Sequence, residues 1–477
     1  MAGRVDGARQ SDSRLEEPSL TKRAISAVTL GTILNPLNSS MIAVALLSVG
    51  AAFAVSNATS TWLVSSFYLA AAIGMPVAGY LADSFGPRKV FIGGLVLLIV
   101  ASSLAPFSPS FWWLVPLRCF QAFGSATAYP AGMAIYRQAG LKGGRLAVTL
   151  TAMAMAGSVS MGLWPPLGGI LVRGLGWSGI FVMNIPLAAL GVILALLWLP
   201  ATSVGEASVS QRAVPSSIPS LVRRVDVLGI AFFSLALVAA LWFLLSLPQS
   251  PLWWMLPISV GAAALLILYE RRINEPFLNV RLLSANHALL RVFAEYCAVN
   301  IVFYLYMFGL PIWLEEDLGV SPSIAGPLIL PMAVVAVLAT PVAGAVLARR
   351  GPKTTLIIGP VVLFVASLLL LLLPGITHFA SILVLSALFG LPTGFNNLGL
   401  QASMFRSAPA DEMGRAGGQY QTFRCLGSII SVAVLGVVFG NTATLSGLHT
   451  VAWVAVAVSG VLVVSKLLER GAKPRKG

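Results

Sequence analysis

The stretch GYLADSFGPRK, residues 79–89, places charge, glycine and proline in a sequence that is otherwise strongly apolar. Asp83 ends a long run without charged residues, and Arg88 and Lys89 follow it closely. A second stretch of the same form, GAVLARRGPK, occupies residues 344–353. In both, two glycines stand seven residues apart and are followed by proline, a basic residue and a new apolar run. The repetition predicts two equivalent halves, although only the first turn contains an acid.

The composition indicates the solvent of this chain. Of the 477 residues, 57% are hydrophobic and 10% are charged, and the mean hydropathy is +0.90. Soluble domains carry about 25% charged residues, so lipid is the main solvent here. A helix needs about 20 apolar residues to cross a bilayer, and only helices and closed barrels can cross it. Because the apolar runs are continuous rather than alternating, we predict an all-α polytopic membrane protein.

The net charge of +14 does not indicate a nucleic-acid partner, because the basic residues are scattered singly or in pairs. Cytoplasmic loops of membrane proteins collect Lys and Arg, which explains the excess. The three cysteines lie in apolar runs without metal-ligand spacing and are interpreted as small buried hydrophobes. We therefore expect no metal, no cofactor and no nucleic acid. No P-loop pattern is present, so ATP is not expected to drive the protein.

We predict fourteen transmembrane helices, called spans 1 to 14. Their limits are 24–48, 59–82, 90–107, 111–135, 146–172, 178–199, 227–247, 252–269, 288–313, 322–347, 354–374, 379–403, 416–440 and 449–468. With a cytoplasmic N-terminus, nearly all loop Arg and Lys fall on the cytoplasmic side, which predicts a protein of the cell (inner) membrane with both termini inside. Twelve spans plus two re-entrant or surface segments is the alternative.

The polar stretch 200–225 predicts a boundary within this array, because it has the composition of a linker. The predicted units are a cytoplasmic tail 1–23, an N-terminal six-helix bundle 24–199, the linker 200–225, an inserted helix pair 226–270, a cytoplasmic loop 271–287, a C-terminal six-helix bundle 288–469 and a cytoplasmic tail 470–477. Two six-helix bundles in parallel orientation, with a ligand site between them, are typical of a transporter.

These residues resemble the major facilitator superfamily, and in particular its fourteen-helix drug/proton antiporters. Residues 79–89 are close to the family's signature loop, with Pro87 where a base is usual. RCFQAFG at 118–124 resembles the family's R-x-x-Q-G-x-G element, and WPPLGG at 164–169 resembles the antiporter motif that ends G-P-x-x-G-G, with Trp164 in place of a glycine. Further matches are Trp177, Ile180, Phe181, Asn184, Ile185, Pro186, Gly414, Gly417, Arg424 and Gly427. The resemblance covers nearly the whole chain outside its tails.

The resemblance implies a latch that joins the halves on the cytoplasmic side when the cavity faces outward. Asp83 ends span 2, where the helix dipole disfavours an acid, so it needs a partner from elsewhere. The candidates are Arg137 and the positive N-terminal end of span 13 near Gly414–Gly418, and a solvated loop charge is the alternative. The predicted latch residues are Gly79, Asp83, Gly86, Arg88, Lys89 and Arg137. The resemblance also implies a seal on span 5, formed by Gly157, Pro165, Gly168 and Gly169.

Proton coupling has two candidate residues. Arg118 lies within span 4, where charge is costly, so we expect it to face the cavity or a buried acceptor rather than to snorkel outward. The family gives this arginine a part in coupling. The family's usual helix-one aspartate is replaced by Asn38, which cannot titrate. Glu295 on span 9 is then the clearest carboxylate in a hydrophobic span, interpreted with equal weight as the proton site or as a structural partner of Arg291.

The resemblance places spans 1, 4, 9 and 12 around a substrate cavity. Its predicted polar residues are Asn35, Asn38, Gln121, Asn300, Asn396, Asn397 and Gln401, each of which could instead bond a neighbouring helix. The aromatic residues Phe303, Tyr304 and Tyr306 could line the cavity or face lipid.

The predicted function is a secondary transporter that exports amphipathic or apolar small molecules by proton antiport with alternating access. The alternative is an exporter or facilitator of a specific metabolite or lipid, without proton coupling at span 1. An enzyme is not expected, because the chain has no D-D-x-x-D motif and its three histidines lie near span ends. The expected partners of this monomer are a small-molecule substrate, protons and membrane lipid.

Overall fold

The computed structural model describes residues 22–55, 57–60, 62–199, 226–247, 251–273, 276–371, 379–440 and 442–471. These residues form helices and connecting turns, and no strand occurs among them. The predicted linker and most of both predicted tails lie outside the described residues.

Helices occur at the positions of the predicted spans and are labelled in chain order. They are α1 (Lys22–Ala52), α2 (Trp62–Phe85), α3 (Pro87–Leu104), α4 (Phe111–Ala126, continued by Ala128–Gln138), α5 (Gly143–Leu175), α6 (Gly179–Val182, continued by Asn184–Trp198), α7 (Val227–Ser246), α8 (Met255–Glu270), α9 (His287–Glu316), α10 (Leu330–Arg350), α11 (Pro352–Leu370), α12 (Phe379–Ser407), α13 (Met413–Phe439) and α14 (Leu445–Gly471). Short helices lie at Asn57–Ser60, Val280–Ala285 and Pro322–Ala325, with 3₁₀ turns at Ala105–Phe107, Pro327–Ile329 and Ala410–Glu412.

Ten helices in the described part of the chain are long and apolar enough to cross a membrane, namely α2, α3, α6, α7 and α9 to α14. The predicted count of fourteen crossings is therefore not confirmed. Of the other helices, α8 has only 16 residues. α4 is divided at Thr127, close to Pro130, which has no N–H to donate to the carbonyl of Ala126.

The helices pack in two groups that touch along one seam. In the first, α1 packs on α5 and α6, while α4 packs on α2 and α3. In the second, α12 packs on α10 and α11, while α14 packs on α9 and α11. Contacts of α2 and α4 with α13, and of α5 with α10, join the two groups. α7 and α8 pack on each other, and α7 also reaches α13 and α2 beside the seam.

The two repeated turns have the same backbone design. Gly86 follows α2 with φ +95°, and Gly351 follows α10 with φ +75°. Such angles favour glycine because a side chain would clash. Proline occupies the first position of the next helix in both cases, where its missing N–H is not needed. Both turns lie on the side of the bundle where α1 begins and α14 ends, which is called the tail face.

Candidate functional site

Asp83 at the end of α2 is bound by the first turn of α13. The backbone N–H of Gly414 donates to its Oδ1 at 2.8 Å, and that of Arg415 donates to its Oδ2 at 2.7 Å. The first N–H groups of a helix have no partner within the helix, and that end carries positive charge, so a carboxylate is stabilised there. The structure thus brings Asp83 to one of the two partners proposed from the sequence, the helix end.

Glycine allows this approach of α2 to α13. A Cβ on Gly79 would overlap the carbonyl of Gly414, and a Cβ on Gly418 would overlap the carbonyl of Met75. The two pairs are four residues apart on each helix, so the backbones touch directly over about one helical turn. This is the small-residue packing by which membrane helices come close without a hydrophobic driving force.

Arg137, the other proposed partner of Asp83, lies on a different contact between the two groups of helices. Its Nη1 donates to the carbonyl of Phe405 on α12 at 3.1 Å, and its guanidinium stands 5.3 Å from the ring centre of the same residue. The last carbonyls of a helix lack partners within it, so an arginine suits this position. Arg137 therefore joins α4 to α12 rather than binding the acid.

Arg88, the first basic residue of this turn, binds within the first group of helices. Arg88 donates from Nη2 to the carbonyl of Leu196 at 2.9 Å, which ties α3 to the end of α6. Lys89 is exposed. Within the predicted latch, Gly79 and Asp83 reach α13 and Arg137 reaches α12, whereas Gly86 and Arg88 shape the first group itself.

The second turn differs from the first in the part of a helix that its leading glycine faces. Gly344, which corresponds to Gly79, faces Thr151 of α5, two helical turns inside that helix. Gly79, in contrast, faces the second residue of α13. One turn beyond Gly344, Ala348 is exposed. An acid at position 348 would therefore be solvated rather than held at a helix start.

Arg118 is a buried cation with three acceptors. It is 1% exposed, and it donates to Oε1 of Gln121 at 3.0 Å and to the carbonyls of Asn38 at 3.1 Å and Leu63 at 3.5 Å. The ring of Phe67 lies 4.5 Å below the guanidinium, in cation–π geometry. The site joins α4 to α1 and α2 within the first group of helices. Arg118 thus faces buried acceptors, as the cost of its charge in a membrane demands.

A cavity of about 180 Å³ lies between the two groups of helices. Five of the predicted polar residues line it, namely Asn35, Asn300, Asn396, Asn397 and Gln401. Phe303 and Tyr304 also line it. The other two predicted polar residues, Asn38 and Gln121, lie outside the described lining of the cavity. Both belong to the Arg118 site instead. Tyr306 is likewise outside that lining, and its hydroxyl is 2.7 Å from the hydroxyl of Ser386.

Three stacked tyrosines lie at the cavity wall nearest the tail face. Tyr420 of α13 stacks on Tyr296 of α9 with ring centres 3.7 Å apart, and on Tyr129 of α4 with centres 6.4 Å apart. Gln401 of α12 donates from Nε2 to the hydroxyl of Tyr129 at 2.9 Å. Because Tyr129 belongs to the first group and the others to the second, the stack closes the seam between the cavity and the Asp83 contact.

Arg424 of α13 lines the cavity and was not predicted as a cavity residue. Its Nη1 donates to the hydroxyl of Tyr304 at 3.4 Å, and its Nε has no acceptor. The amide of Asn396, which is 1% exposed, and Oε1 of Gln421 also have no hydrogen-bond partner. The sequence did show a basic residue eleven positions into α13. It did not show which side of the helix this residue faces.

Glu295 forms an ion pair with a residue that was not predicted from the sequence. Its Oε1 lies 2.6 Å from Nζ of Lys466 on α14, and both residues are buried. The pair stands between α9 and α14, outside the described lining of the cavity. The structural partner proposed from the sequence was Arg291, which stays a prediction, and the structure gives an ion pair with Lys466, a residue far along the chain.

The residues of the predicted seal on α5 have separate surroundings. Gly157 lines the cavity, and nothing lies within 4 Å of the position that a Cβ on it would take. Gly168 lies against Met41 on α1, and a Cβ on Gly168 would stand 3.5 Å from the Met41 backbone. Gly169 is half-buried. The side chain of Pro165 lies outside the part of α5 that can be described.

Comparison with known proteins identifies the class to which this arrangement belongs. The family model described as Major Facilitator Superfamily matches residues 28–432. The chain is 34% identical over 426 residues to the uncharacterized MFS-type transporter YwoD of Bacillus subtilis, covering 88% of this chain and 90% of that protein. The chain therefore belongs to the major facilitator superfamily, and it is a multi-pass membrane transporter rather than an enzyme.

Two further likenesses give context. The chain is 27% identical to the multidrug resistance protein Stp of Mycobacterium tuberculosis, covering 86% of this chain and 74% of that protein. The crystal structure of the human organic anion transporter MFSD10 (TETRAN) matches with a TM-score of 0.64 at 16% identity, covering 94% of this chain and 98% of that one. The structural match shows the shared fold alone.

Proposed function

We propose that this chain is a secondary transporter that exports amphipathic or apolar small molecules by alternating access. The observation that carries the proposal is the cavity between the two groups of helices, bounded towards the tail face by contacts that join the groups. Alternating access is a rocking of one half against the other around such a site. The likeness to a protein named for multidrug resistance supports export of this kind of compound.

The proposal assigns moving parts and an orientation. Residues 24–199 and 288–469 are the two moving bundles, and 226–270 is a helix pair inserted beside their seam. The tail face lies in the cytoplasm of the cell membrane, because exposed bases such as Arg349 and Arg350 concentrate there. The Asp83 contact and the tyrosine stack then seal the cytoplasmic side. The described conformation belongs to the outward-facing part of the cycle.

Proton antiport is the coupling we propose, with Glu295 as the proton carrier and Arg118 as a supporting charge. Glu295 is a buried carboxylate whose protonation would release Lys466, and so would loosen α14 from α9. A specific-metabolite facilitator without such coupling is the second candidate. It is favoured by one observation, namely that the described cavity lining contains no carboxylate.

The test is reconstitution of the full chain in liposomes with an imposed pH gradient. Gradient-driven accumulation of an amphipathic compound would support antiport, whereas equilibration that ignores the gradient would support the facilitator. Glu295→Gln should abolish accumulation per folded molecule. The matched control is Glu315→Gln, the same change at the exposed end of the same helix, which should leave accumulation intact. Full accumulation by Glu295→Gln would overturn the assignment of the proton carrier.

A further inference from the structure

Arg424 stands at a depth where a charge needs a partner. It lies eleven residues after the start of α13, which is about 16 Å along the helix at about 1.5 Å per residue. That is about half the thickness of a bilayer's hydrocarbon core. Charged groups at this depth face a cavity or a counter-charge, and Arg424 faces the cavity.

Two buried cations in the described part of the chain, Arg118 and Lys466, have partners that offset their charge. Arg118 has three oxygen acceptors and an aromatic ring, and Lys466 has the carboxylate of Glu295. Arg424, in contrast, donates one hydrogen bond from Nη1 to the hydroxyl of Tyr304 at 3.4 Å, and its Nε has no hydrogen-bond acceptor. Its main electrostatic neighbours are Tyr304, Cys425, Tyr296 and Tyr68, and none of these is an Asp or a Glu.

The cavity contains no acid that could balance this charge. Within the lining that the structure describes, Arg424 is the single ionisable base, and no Asp or Glu occurs. Two carboxylates on helices that line the cavity, Asp83 on α2 and Glu295 on α9, are bound elsewhere, since Asp83 is held by α13 and Glu295 by Lys466. The cavity therefore carries a positive charge that its own wall does not neutralise.

One further donor, the amide of Asn396, lines the same cavity together with an apolar surface. The buried amide of Asn396 has no partner for either of its polar atoms. Val299, Phe303 and Phe389 supply apolar surface in the same lining. A guanidinium and an amide donor that line one cavity can bind a carboxylate, because both oxygens of the carboxylate accept hydrogen bonds and those from the guanidinium are charge-assisted.

We infer that the cavity takes an amphipathic organic anion, whose carboxylate or equivalent acidic group binds Arg424 and whose apolar body lies against Val299, Phe303 and Phe389. The inference narrows the substrate class of the transporter proposed above and rests on that proposal. A cationic drug would meet a like charge with no acid to offset it. A neutral compound would leave the charge of Arg424 unbalanced when the cavity excludes water.

The test compares three probes with one carbon skeleton, namely 4-phenylbutyrate, 4-phenylbutanol and 4-phenylbutylamine. Binding to the purified full chain in lipid nanodiscs is measured by calorimetry and by the shift in melting temperature. We expect the acid to bind at least tenfold more tightly than the alcohol and the amine. Equal or tighter binding of the amine or the alcohol by the wild type would overturn the inference without any variant.

Variants locate the effect. Arg424→Gln should weaken binding of the acid at least tenfold and leave binding of the alcohol within twofold, while Arg424→Lys should retain part of the preference for the acid. The matched control Arg349→Gln removes an exposed arginine outside the cavity and should change nothing. Undiminished binding of the acid by a folded Arg424→Gln protein would contradict the inference.

Two outcomes separate this inference from the proposed transport. If the acid binds as expected but crosses no liposome membrane, transport fails and the anion site stands. If the amine or the alcohol is transported and the acid is neither bound nor transported, transport stands and the anion site fails. Chloride alone provides the last comparison, because full stabilisation by chloride with no further gain from the acid would reduce the cavity to an inorganic-ion site and overturn the inference.

Discussion

Replacing Asp83 by Asn removes the charge that holds α2 to the start of α13. An amide keeps one acceptor oxygen, so one of the two hydrogen bonds, at 2.8 and 2.7 Å, must be lost. A hydrogen bond to a charged group contributes about 1.5–3 kcal/mol, and a carboxylate at a helix N-terminus contributes about 0.3–1 kcal/mol. We take about 2 kcal/mol as the net loss, which would shift the equilibrium between closed and open tail faces about 30-fold towards the open state.

The assay is labelling of a single cysteine in the cavity by a membrane-impermeant maleimide applied from the tail face. Ala154→Cys, in a background without Cys119, Cys297 and Cys425, places the thiol in the cavity lining. If the open state is the minor one, labelling of Asp83→Asn should be faster by up to about 30-fold, while the amount of folded protein stays the same. Transport should fall, because the closed state is needed once in each cycle.

The matched control for this change is Asp411→Asn. Asp411 is exposed and stands three residues before Gly414, so the same chemical change is made beside the contact but not in it. Its labelling rate should equal that of the parent. Equal labelling rates for Asp83→Asn and Asp411→Asn, together with normal transport, would refute the reasoning and leave Asp83 as a loop charge.

Three further predictions concern packing and buried charge. Gly418→Ala should destabilise the closed tail face by about 1–3 kcal/mol, because its methyl group overlaps the carbonyl of Met75; faster labelling from the tail face checks this, and an unchanged rate would contradict it. Arg118→Met should lower thermal stability by about 1–3 kcal/mol, because Gln121 and two carbonyls lose a donor, with an unchanged melting temperature as the contrary result. Glu295→Gln should destabilise by about 3–5 kcal/mol through the unpaired Lys466. The double variant with Lys466→Gln should recover part of that loss in melting experiments, and no recovery would show that the pair is not the cause.

Much of the architecture could be predicted from the sequence, because lipid imposes strong composition rules. The positions of the helices follow from apolar runs bounded by charge, glycine and proline. The two turns at Gly86 and Gly351 could be recognised as equivalent, because a positive φ followed by proline leaves the same residue pattern in both. The need of Asp83 for a partner followed from its place at the negative end of α2, and a helix start was one of the two partners foreseen.

Partners that are distant in the sequence could not be predicted in the same way. Glu295 and Arg291 are one helical turn apart, so a local rule suggested that pair, whereas Lys466 reaches the carboxylate only through the packing of α14 on α9. Arg137 was considered for Asp83, but the end of α12 offers it the carbonyl of Phe405. Both choices depend on which helices become neighbours.

The orientation of each helix about its own axis was decided only by the tertiary structure. In a soluble protein, a polar face and an apolar face reveal that orientation. In a membrane, lipid and neighbouring helices both accept apolar side chains, so the pattern along the chain does not distinguish outside from inside. Asn38 and Asn35 lie one turn apart on α1, yet only Asn35 lines the cavity. The direction of Arg424 was hidden for the same reason, since its position in span 13 was visible in the sequence and its face was set by the packing of α13 on α2 and α9.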